Sequence, residues 1–250
     1  MSKIICFDVW GTLILTDGDR FRRDVCNAVS RIIKEYEGVE IGVEELLQVF
    51  DSVDRRVRDR RLRELIYIPP EESIALLLRE VLGKEPRLIL VDEVHDAICR
   101  VIETTPHVRP AEGVYELLDM LKASGYSLAI VSNVVFWHSN ATRRLLRRFN
   151  LDTFFDIEIY ADLVKEVKPS TRMLNIVERQ LGGTVKAHIG DSFSEDAAMA
   201  LAYKVKAVLI DRKSQYLKDK NIEVLLNGNL IVVKQFDNLL NRDILSLVTS

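Results

Sequence analysis

Cysteines are few and long apolar runs are absent, so the sequence gives little support for disulfide pairing or membrane insertion. The 250 residues include three cysteines, Cys6, Cys26 and Cys99, an odd number at wide spacing. This usage is typical of a reducing compartment. No uninterrupted apolar stretch reaches the roughly 20 residues that a membrane-spanning helix needs.

We also expect no leader segment in this chain, and its net charge is small. No charged-then-apolar leader precedes the first strand-like run, so we expect no secretory signal and a cytoplasmic location. The net charge of −3 provides no positive field for nucleic acid or for a membrane surface. With 48% hydrophobic and 29% charged residues, the composition is that of a globular protein with a sizeable core. We expect a monomer or a homodimer with neither of those partners.

Hydrophobic periodicity divides the chain into two kinds of region. Residues 3–7 form an apolar run that predicts a buried strand ending at Asp8. Residues 20–105 carry apolar side chains at helical spacing, which predicts four helices with short connections. From residue 106 onward, strand and helix patterns alternate, which favours an α/β fold with a mostly parallel sheet. The helical block is therefore expected to be an insertion after the first strand.

Four polar positions have the same kind of location, at the end of a predicted strand or in the loop shortly after it. In a parallel sheet these ends meet at one edge, which is where open α/β sheets bind ligands. We therefore expect side chains between positions 8 and 196 to converge on a single cleft. The four positions are Asp8, Ser132-Asn133, Lys168-Pro169, and Gly190-Asp191 with Asp196 beyond it.

The chemistry of these side chains is complementary. A carboxylate such as that of Asp8 can attack phosphorus and form an acyl phosphate. Both reactants are negative, and a hard divalent cation held by Asp8 and Asp191 would relieve the repulsion. A lysine ammonium adds fixed positive charge, while a serine hydroxyl and backbone N–H groups can bind the transferring oxygens.

These positions resemble, in order and at sensible spacing, the four motifs of the haloacid dehalogenase-like superfamily. The resemblance implies a Rossmannoid three-layer α/β core with a mostly parallel sheet, formed by residues 1–15 and 106–250. It also implies an α-helical cap inserted over residues 16–105. The matching segments are Asp8-Val9-Trp10-Gly11-Thr12-Leu13, Ser132-Asn133, Lys168-Pro169, and Gly190-Asp191 with Asp196.

The same resemblance implies a role for each residue. Asp8 is expected to be the nucleophile and, together with Asp191, a ligand of Mg²⁺. The backbone carbonyl of Trp10 is expected to join the metal site, and Asp196 to support it. Lys168 is expected to orient Asp8 during catalysis. The residues expected to bind the phosphoryl group of a small-molecule substrate are Thr12, Ser132, Asn133 and Lys168.

Trp10 departs from the pattern of the phosphatases in this superfamily. Most of them carry there an aspartate that acts as general acid and base, which an indole cannot do. The sequence therefore allows a phosphatase with another proton shuttle or a low rate, a 2-haloacid dehalogenase, or a non-catalytic protein that binds a phosphorylated ligand. Dehalogenases need no metal and typically lose the Gly-Asp carboxylate, whereas Asp191 and Asp196 are both present.

We therefore favour a Mg²⁺-dependent phosphatase that hydrolyses small phosphate monoesters through an aspartyl-phosphate on Asp8. His138 is a hypothetical replacement for the missing proton shuttle. His188 lies within a predicted strand and is expected to be a hydrogen-bonded core residue. The arginine-rich run over residues 55–63 is expected to be a solvated helix with ion pairs.

Overall fold

The computed structural model describes residues 2–241 and 246–248 of the chain. Seven strands form one sheet, in the order β5-β4-β1-β6-β7-β9-β8, and two short strands, β2 and β3, pair with each other. The strands are β1 (Lys3–Phe7), β2 (Ile14–Thr16), β3 (Val108–Pro110), β4 (Ser127–Ser132), β5 (Ile157–Tyr160), β6 (Thr184–Gly190), β7 (Lys206–Ile210), β8 (Ile222–Leu225) and β9 (Leu230–Val233).

Nine α-helices have bounds within the described ranges, and short 3-10 turns and one π-turn join them to the strands. The helices are α1 (Gly18–Glu37), α2 (Val43–Glu64), α3 (Pro70–Leu82), α4 (Leu88–Thr104), α5 (Val114–Ala123), α6 (Ser139–Arg148), α7 (Ala161–Val164), α8 (Arg172–Leu181) and α9 (Ala198–Tyr203). Residues 20–105 thus contain four helices, as the periodicity predicts.

The sheet is parallel from β5 to β9, which confirms the predicted α/β class. Strand β1 lies in the interior of the sheet and pairs in parallel with β4 on one side and β6 on the other. Ile4, Ile5, Cys6 and Phe7 are fully buried, because a central parallel strand is covered by helices on both faces. This burial explains why β1 reads as a continuous apolar run rather than an alternating one.

The chain forms two compact units. One comprises Met1–Leu15, Pro110–Asn133 and Phe149–Ser250, and it contains the seven-stranded sheet. The other comprises Thr16–Arg109 and Val134–Arg148, and it contains α1 to α4 together with α6. The sequence pattern assigns residues 134–148 to the core, whereas in the structure they associate with the helices. The stripe of Ala141, Leu145 and Leu146 is buried within this helical unit.

Two helices of the second unit, α1 and α3, end at a glycine, which tolerates a left-handed backbone. Gly38 and Gly83 follow α1 and α3 with φ of 69° and 64°. Within α2, Arg58 and Arg60 form the exposed ion pairs expected of the arginine-rich run. Arg61 differs, because it is only 2% exposed and donates to the carbonyl of Val134 at 3.4 Å.

Three local features differ from the predicted pattern. A π-turn, Phe193–Ala197, precedes α9, where the sequence suggests a single helix from residue 197. Strand β8 runs antiparallel to β9, an edge pair that the pattern does not reveal. A helix is also predicted over residues 239–247, of which residues 242–245 lie outside the described ranges. Within the part of the chain described, no helix has the length and apolarity to cross a membrane.

Candidate active site

The predicted motifs meet at the carboxyl edge of the sheet. Asp8 directly follows β1, Ser132 ends β4, and Gly190 ends β6. Because β4 and β6 flank β1, these three strand ends are neighbours. Lys168 reaches the same place from the loop between α7 and α8, and its side chain is 1% exposed.

Asp8 is held on both carboxylate oxygens. Its Oδ1 accepts hydrogen bonds from the Ser132 hydroxyl at 3.0 Å and from the Lys168 ammonium at 2.6 Å. Its Oδ2 accepts a longer bond of 3.4 Å from the Thr12 hydroxyl. Asp8, Thr12, Ser132 and Lys168 are all buried, so these contacts form in a region of low dielectric where electrostatic interactions are strong.

Lys168 bridges two buried carboxylates. Its ammonium donates to Oδ1 of Asp8 and, at 2.7 Å, to Oδ1 of Asp196. The same oxygen of Asp196 accepts from Nε2 of His188 at 2.8 Å, and Oδ2 accepts from the backbone N–H of Ser192 at 3.0 Å. His188 is fully buried, in agreement with the expected hydrogen-bonded core residue.

The surroundings shift the pKa values of these groups in opposite directions. Burial raises the pKa of Asp8, although the nearby ammonium of Lys168 opposes the shift. Burial acts the same way on Asp196, but Lys168 and the hydrogen bond with His188 outweigh it and hold the pKa of that carboxyl well below its usual range. Burial alone would lower the pKa of Lys168, yet the carboxylates of Asp196 and Asp8 raise it. The lysine therefore stays charged.

Asn133 fixes the loop that carries Lys168. Its Oδ1 accepts from the backbone N–H of Lys168 at 3.0 Å, and its Nδ2 donates to the carbonyl of Lys168 at 3.3 Å. Nδ2 also donates to Glu195 at 3.1 Å, and Glu195 is itself buried. The contacts of Asn133 are therefore those of a residue that positions Lys168, and its predicted contact with phosphate stays a prediction.

Carboxylate oxygens of Asp8, Asp191 and Asp196 lie within 4.8 Å of one another. Such a set of hard oxygen donors suits Mg²⁺. Both oxygens of Asp196 accept hydrogen bonds of 3.0 Å or shorter, whereas Oδ2 of Asp8 accepts only the 3.4 Å bond from Thr12 and Asp191 is exposed. Asp8 and Asp191 therefore fit best as direct ligands, and Asp196 fits a supporting place. Trp10, whose carbonyl is the other predicted ligand, is partly buried and forms a backbone bridge with Ile14.

Glycines make room for two of these carboxylates. At Gly11 the space for a Cβ is filled by the carboxylate of Asp191, and at Gly190 it is filled by the carboxylate of Asp196. The sequence motifs therefore contain glycine because the acidic side chains pack against the backbone at these two positions.

Two residues at the site were not predicted. Glu195 contacts Asn133, as described above, and Arg212 donates to the carbonyls of Gly11 and Thr12. Arg212 follows β7 at the same edge of the sheet, so the rule that polar residues follow strand ends would have found it. Glu195 lies in the π-turn, whose geometry has no clear sequence signal.

The residues after the second motif belong to the helical unit. Phe136 is buried and packs edge to face on Phe50, with ring centroids 5.1 Å apart. His138, the hypothetical proton shuttle, pairs through Nε2 with Oε1 of Glu71 at 2.6 Å. Because both partners, Phe50 and Glu71, lie in the helical unit, these contacts indicate packing and leave the shuttle a hypothesis.

The fold and the site together are those of a hydrolase with a mostly parallel sheet and a carboxylate cluster at its carboxyl edge. A family model described as haloacid dehalogenase-like hydrolase matches residues 2–203, so the chain belongs to that family of enzymes. The match spans all four motifs, from Asp8 to Asp196.

Curated relatives bear phosphatase names. Pyrophosphatase PpaX of Halalkalibacterium halodurans is 37% identical over 75 residues, which are 30% of this chain and 34% of that protein. The match thus spans about a third of the length of that relative. Probable phosphatase IndB of Dickeya dadantii is 28% identical over 204 residues, which are 80% of this chain and 77% of that protein.

Among solved structures, 2-haloacid dehalogenase from Pseudomonas syringae aligns with a TM-score of 0.65. The alignment covers 98% of this chain and 99% of the dehalogenase chain, at 16% sequence identity. At this identity the likeness shows a shared fold and does not distinguish a dehalogenase from a phosphatase.

Proposed function

We propose that this hydrolase is a Mg²⁺-dependent phosphatase that acts on small-molecule phosphate monoesters through an aspartyl-phosphate on Asp8. The observation that carries the proposal is the cluster of Asp8, Asp191 and Asp196, two of which, Asp8 and Asp196, contact the Lys168 ammonium. Three carboxylates and one ammonium leave an excess of negative charge, which a divalent cation would compensate. The phosphatase names of the relatives support the same reaction.

Asp8 and Asp191 would hold Mg²⁺, with Asp196 supporting them. Bound there, the ion would supply electrostatic relief between the attacking carboxylate and the anionic phosphoryl group. Ser132 and Lys168 fix the orientation of the Asp8 carboxylate, which keeps the nucleophile in place before substrate arrives.

The reaction has two displacements at phosphorus. Asp8 attacks the phosphorus, the P–O bond to the alcohol breaks, and the leaving oxygen takes a proton from solvent because Trp10 has no acidic group. Water then attacks the phosphorus of the acyl phosphate and loses a proton to solvent. The Asp8 carboxylate departs, and inorganic phosphate is released. We expect a lower rate than with a built-in acid, since general acid–base help is worth roughly 10²–10⁴-fold.

A 2-haloacid dehalogenase is the second candidate, and Trp10 is the observation that favours it. Halide is a good leaving group that needs no protonation, so a dehalogenase would not need an acidic residue at position 10. The carboxylate cluster favours the phosphatase, because attack on a haloacid does not call for Asp191 or Asp196.

A substrate screen tests the proposal. Phosphate release is measured from p-nitrophenyl phosphate and from sugar and nucleoside phosphates, with Mg²⁺ or with excess chelator, beside chloride release from chloroacetate. Asp8→Asn is the control. Phosphate release that needs both Mg²⁺ and Asp8 supports the proposal. Chloride release without metal supports the dehalogenase, and ligand binding without turnover supports a binding protein.

A further inference from the structure

Arg212 holds the loop that follows the proposed nucleophile. Its guanidinium donates through Nη1 to the carbonyl of Gly11 and through Nη2 to the carbonyl of Thr12, the latter at 3.0 Å. A guanidinium offers several N–H donors in one rigid plane, so two neighbouring carbonyls can be bound at once. One arginine therefore fixes two successive peptide groups of the loop.

Arg212 is itself held in place from two sides. Its guanidinium carbon lies 5.4 Å from the ring centroid of Phe236, which is fully buried, so the plane packs on an aromatic face. The preceding residue, Asp211, is buried and accepts hydrogen bonds from the backbone N–H groups of Gln215, Tyr216 and Leu217 at 2.7 to 2.8 Å. These contacts thus hold the Arg212 guanidinium in position beside the loop.

The next carbonyl of the loop is bound as well. Leu13 accepts from the backbone N–H of Ala111 at 2.8 Å. Carbonyls 11, 12 and 13 are therefore each fixed by a partner elsewhere in the sheet-containing unit. Residues 8 to 13 include the nucleophile, the predicted Trp10 carbonyl ligand and Gly11, against which Asp191 packs. A shift of this loop would move Asp8 and the Trp10 carbonyl, and it would change the packing of Asp191 against Gly11.

We propose that Arg212 is a positioning residue that sets the geometry of the Asp8 loop for metal binding and catalysis. The proposal rests on the proposed function for its kinetic part and on the hydrogen bonds of the loop for its structural part. The guanidinium contacts the backbone carbonyls of Gly11 and Thr12, so in this role it acts through the loop and not on the substrate.

The test compares Arg212→Met and Arg212→Lys with Arg79→Met, in which an exposed arginine of the helical unit loses its ion pair with Glu85. Arg212→Met should lower kcat by about 10- to 100-fold with little change in KM, and should raise the Mg²⁺ concentration for half-maximal activity. The kcat of Arg212→Lys should lie between those of Arg212→Met and the wild type, because an ammonium lacks the planar set of N–H donors with which a guanidinium binds two carbonyls. Added guanidinium ion should partly restore the activity of Arg212→Met, while Arg79→Met should behave like the wild type.

Hydrogen exchange separates this proposal from the proposed function. Arg212→Met should accelerate amide exchange in the peptide that covers residues 8–15, with the strands of the sheet unchanged. If the wild type hydrolyses no phosphate ester, the proposed function fails, and the exchange result still decides the role of Arg212. Unchanged exchange and kcat in Arg212→Met, or a uniform rise of exchange across the sheet, would overturn the positioning role.

Discussion

The carboxylate of Asp191 lies directly against the α-carbon of Gly11. A Cβ at position 11 would overlap that carboxylate, and the backbone there has φ of 79°, a region that favours glycine. The absence of a side chain at Gly11 therefore allows Asp191 to approach Asp8. Gly11 of the first motif is thus as necessary for the geometry of the acidic cluster as the acidic residues themselves.

Gly11→Ala should damage the site more than the fold. The left-handed backbone costs a non-glycine residue about 1–3 kcal/mol, and the new methyl group must displace Asp191. We expect Mg²⁺ affinity and activity to fall at least about tenfold. Titration of Mg²⁺ against activity and by calorimetry measures this. Gly38→Ala is the matched control, since Gly38 also has a left-handed backbone, with φ of 69°, but no neighbouring atom of the described residues lies within 4 Å of a Cβ there. Wild-type Mg²⁺ affinity in Gly11→Ala would show that the approach of Asp191 does not depend on Gly11.

Lys168→Met should lose both activity and stability. The change leaves two buried carboxylates without their shared ammonium, and removal of one partner from a buried ion pair costs about 3–5 kcal/mol. Urea unfolding in chelator measures the loss, and Mg²⁺ should recover part of it. Lys122→Met removes a partly exposed pair with Asp156 and should cost no more than about 1 kcal/mol. Equal losses in the two variants would count against the bridging role.

Asp8→Asn and Asp196→Asn should change stability in opposite directions at neutral pH in chelator. The pKa of Asp8 is raised by burial, so its ionised form destabilises the folded state above the ordinary carboxyl pKa, and an amide removes that penalty. The pKa of Asp196 is lowered, so its ionised form contributes stability above the ordinary carboxyl pKa, which is lost as pH falls. We expect Asp8→Asn to match or exceed the wild type, and Asp196→Asn to lose about 3 kcal/mol.

Urea midpoints of both variants between neutral and acidic pH provide the measurement. The difference between wild type and Asp196→Asn should shrink as pH falls. A large loss of stability in Asp8→Asn would show that the Lys168 ion pair outweighs the burial of the Asp8 carboxylate.

The sequence predicts the site best where a residue ends a strand. Asp8, Ser132 and Asp191 follow apolar runs, and the geometry of a parallel sheet then brings them to one edge whatever the details of packing. The distances between the side chains of the site cannot be predicted from hydrophobic periodicity. Lys168 lies in a loop, and its approach to both Asp8 and Asp196 depends on the backbone contacts of Asn133.

Other features depend on tertiary contacts and have weak sequence signals. Arg61 occurs within a run of arginines, and only the packing of α2 distinguishes this buried side chain from its exposed neighbours. Residues 134–148 follow a core motif in sequence, yet the apolar stripe of α6 is buried among the helices of the other unit. The antiparallel strand β8 is half exposed, so its alternation is faint.

Trp10→Asp should restore the missing proton shuttle. If the enzyme is a phosphatase limited by leaving-group protonation, kcat for alkyl phosphates should rise by about 10-fold or more, within the usual range of general acid–base help. Esters with acidic leaving groups, such as p-nitrophenyl phosphate, should gain less. Trp10→Asn provides the control, because asparagine is similar in size to aspartate but its amide cannot act as a general acid or base. A fall in turnover for both variants alike would indicate that Trp10 contributes packing or substrate contact instead.

The most direct measurement looks for the covalent intermediate on Asp8. The enzyme is mixed with Mg²⁺ and a hydrolysed phosphate ester, quenched in acid within one turnover, digested, and examined by mass spectrometry. The account predicts that the peptide containing Asp8 gains the mass of one phosphoryl group, that chelator abolishes the gain, and that Asp8→Asn never shows it. Phosphate release at full rate in excess chelator, with no phosphoryl group on that peptide, would contradict the account.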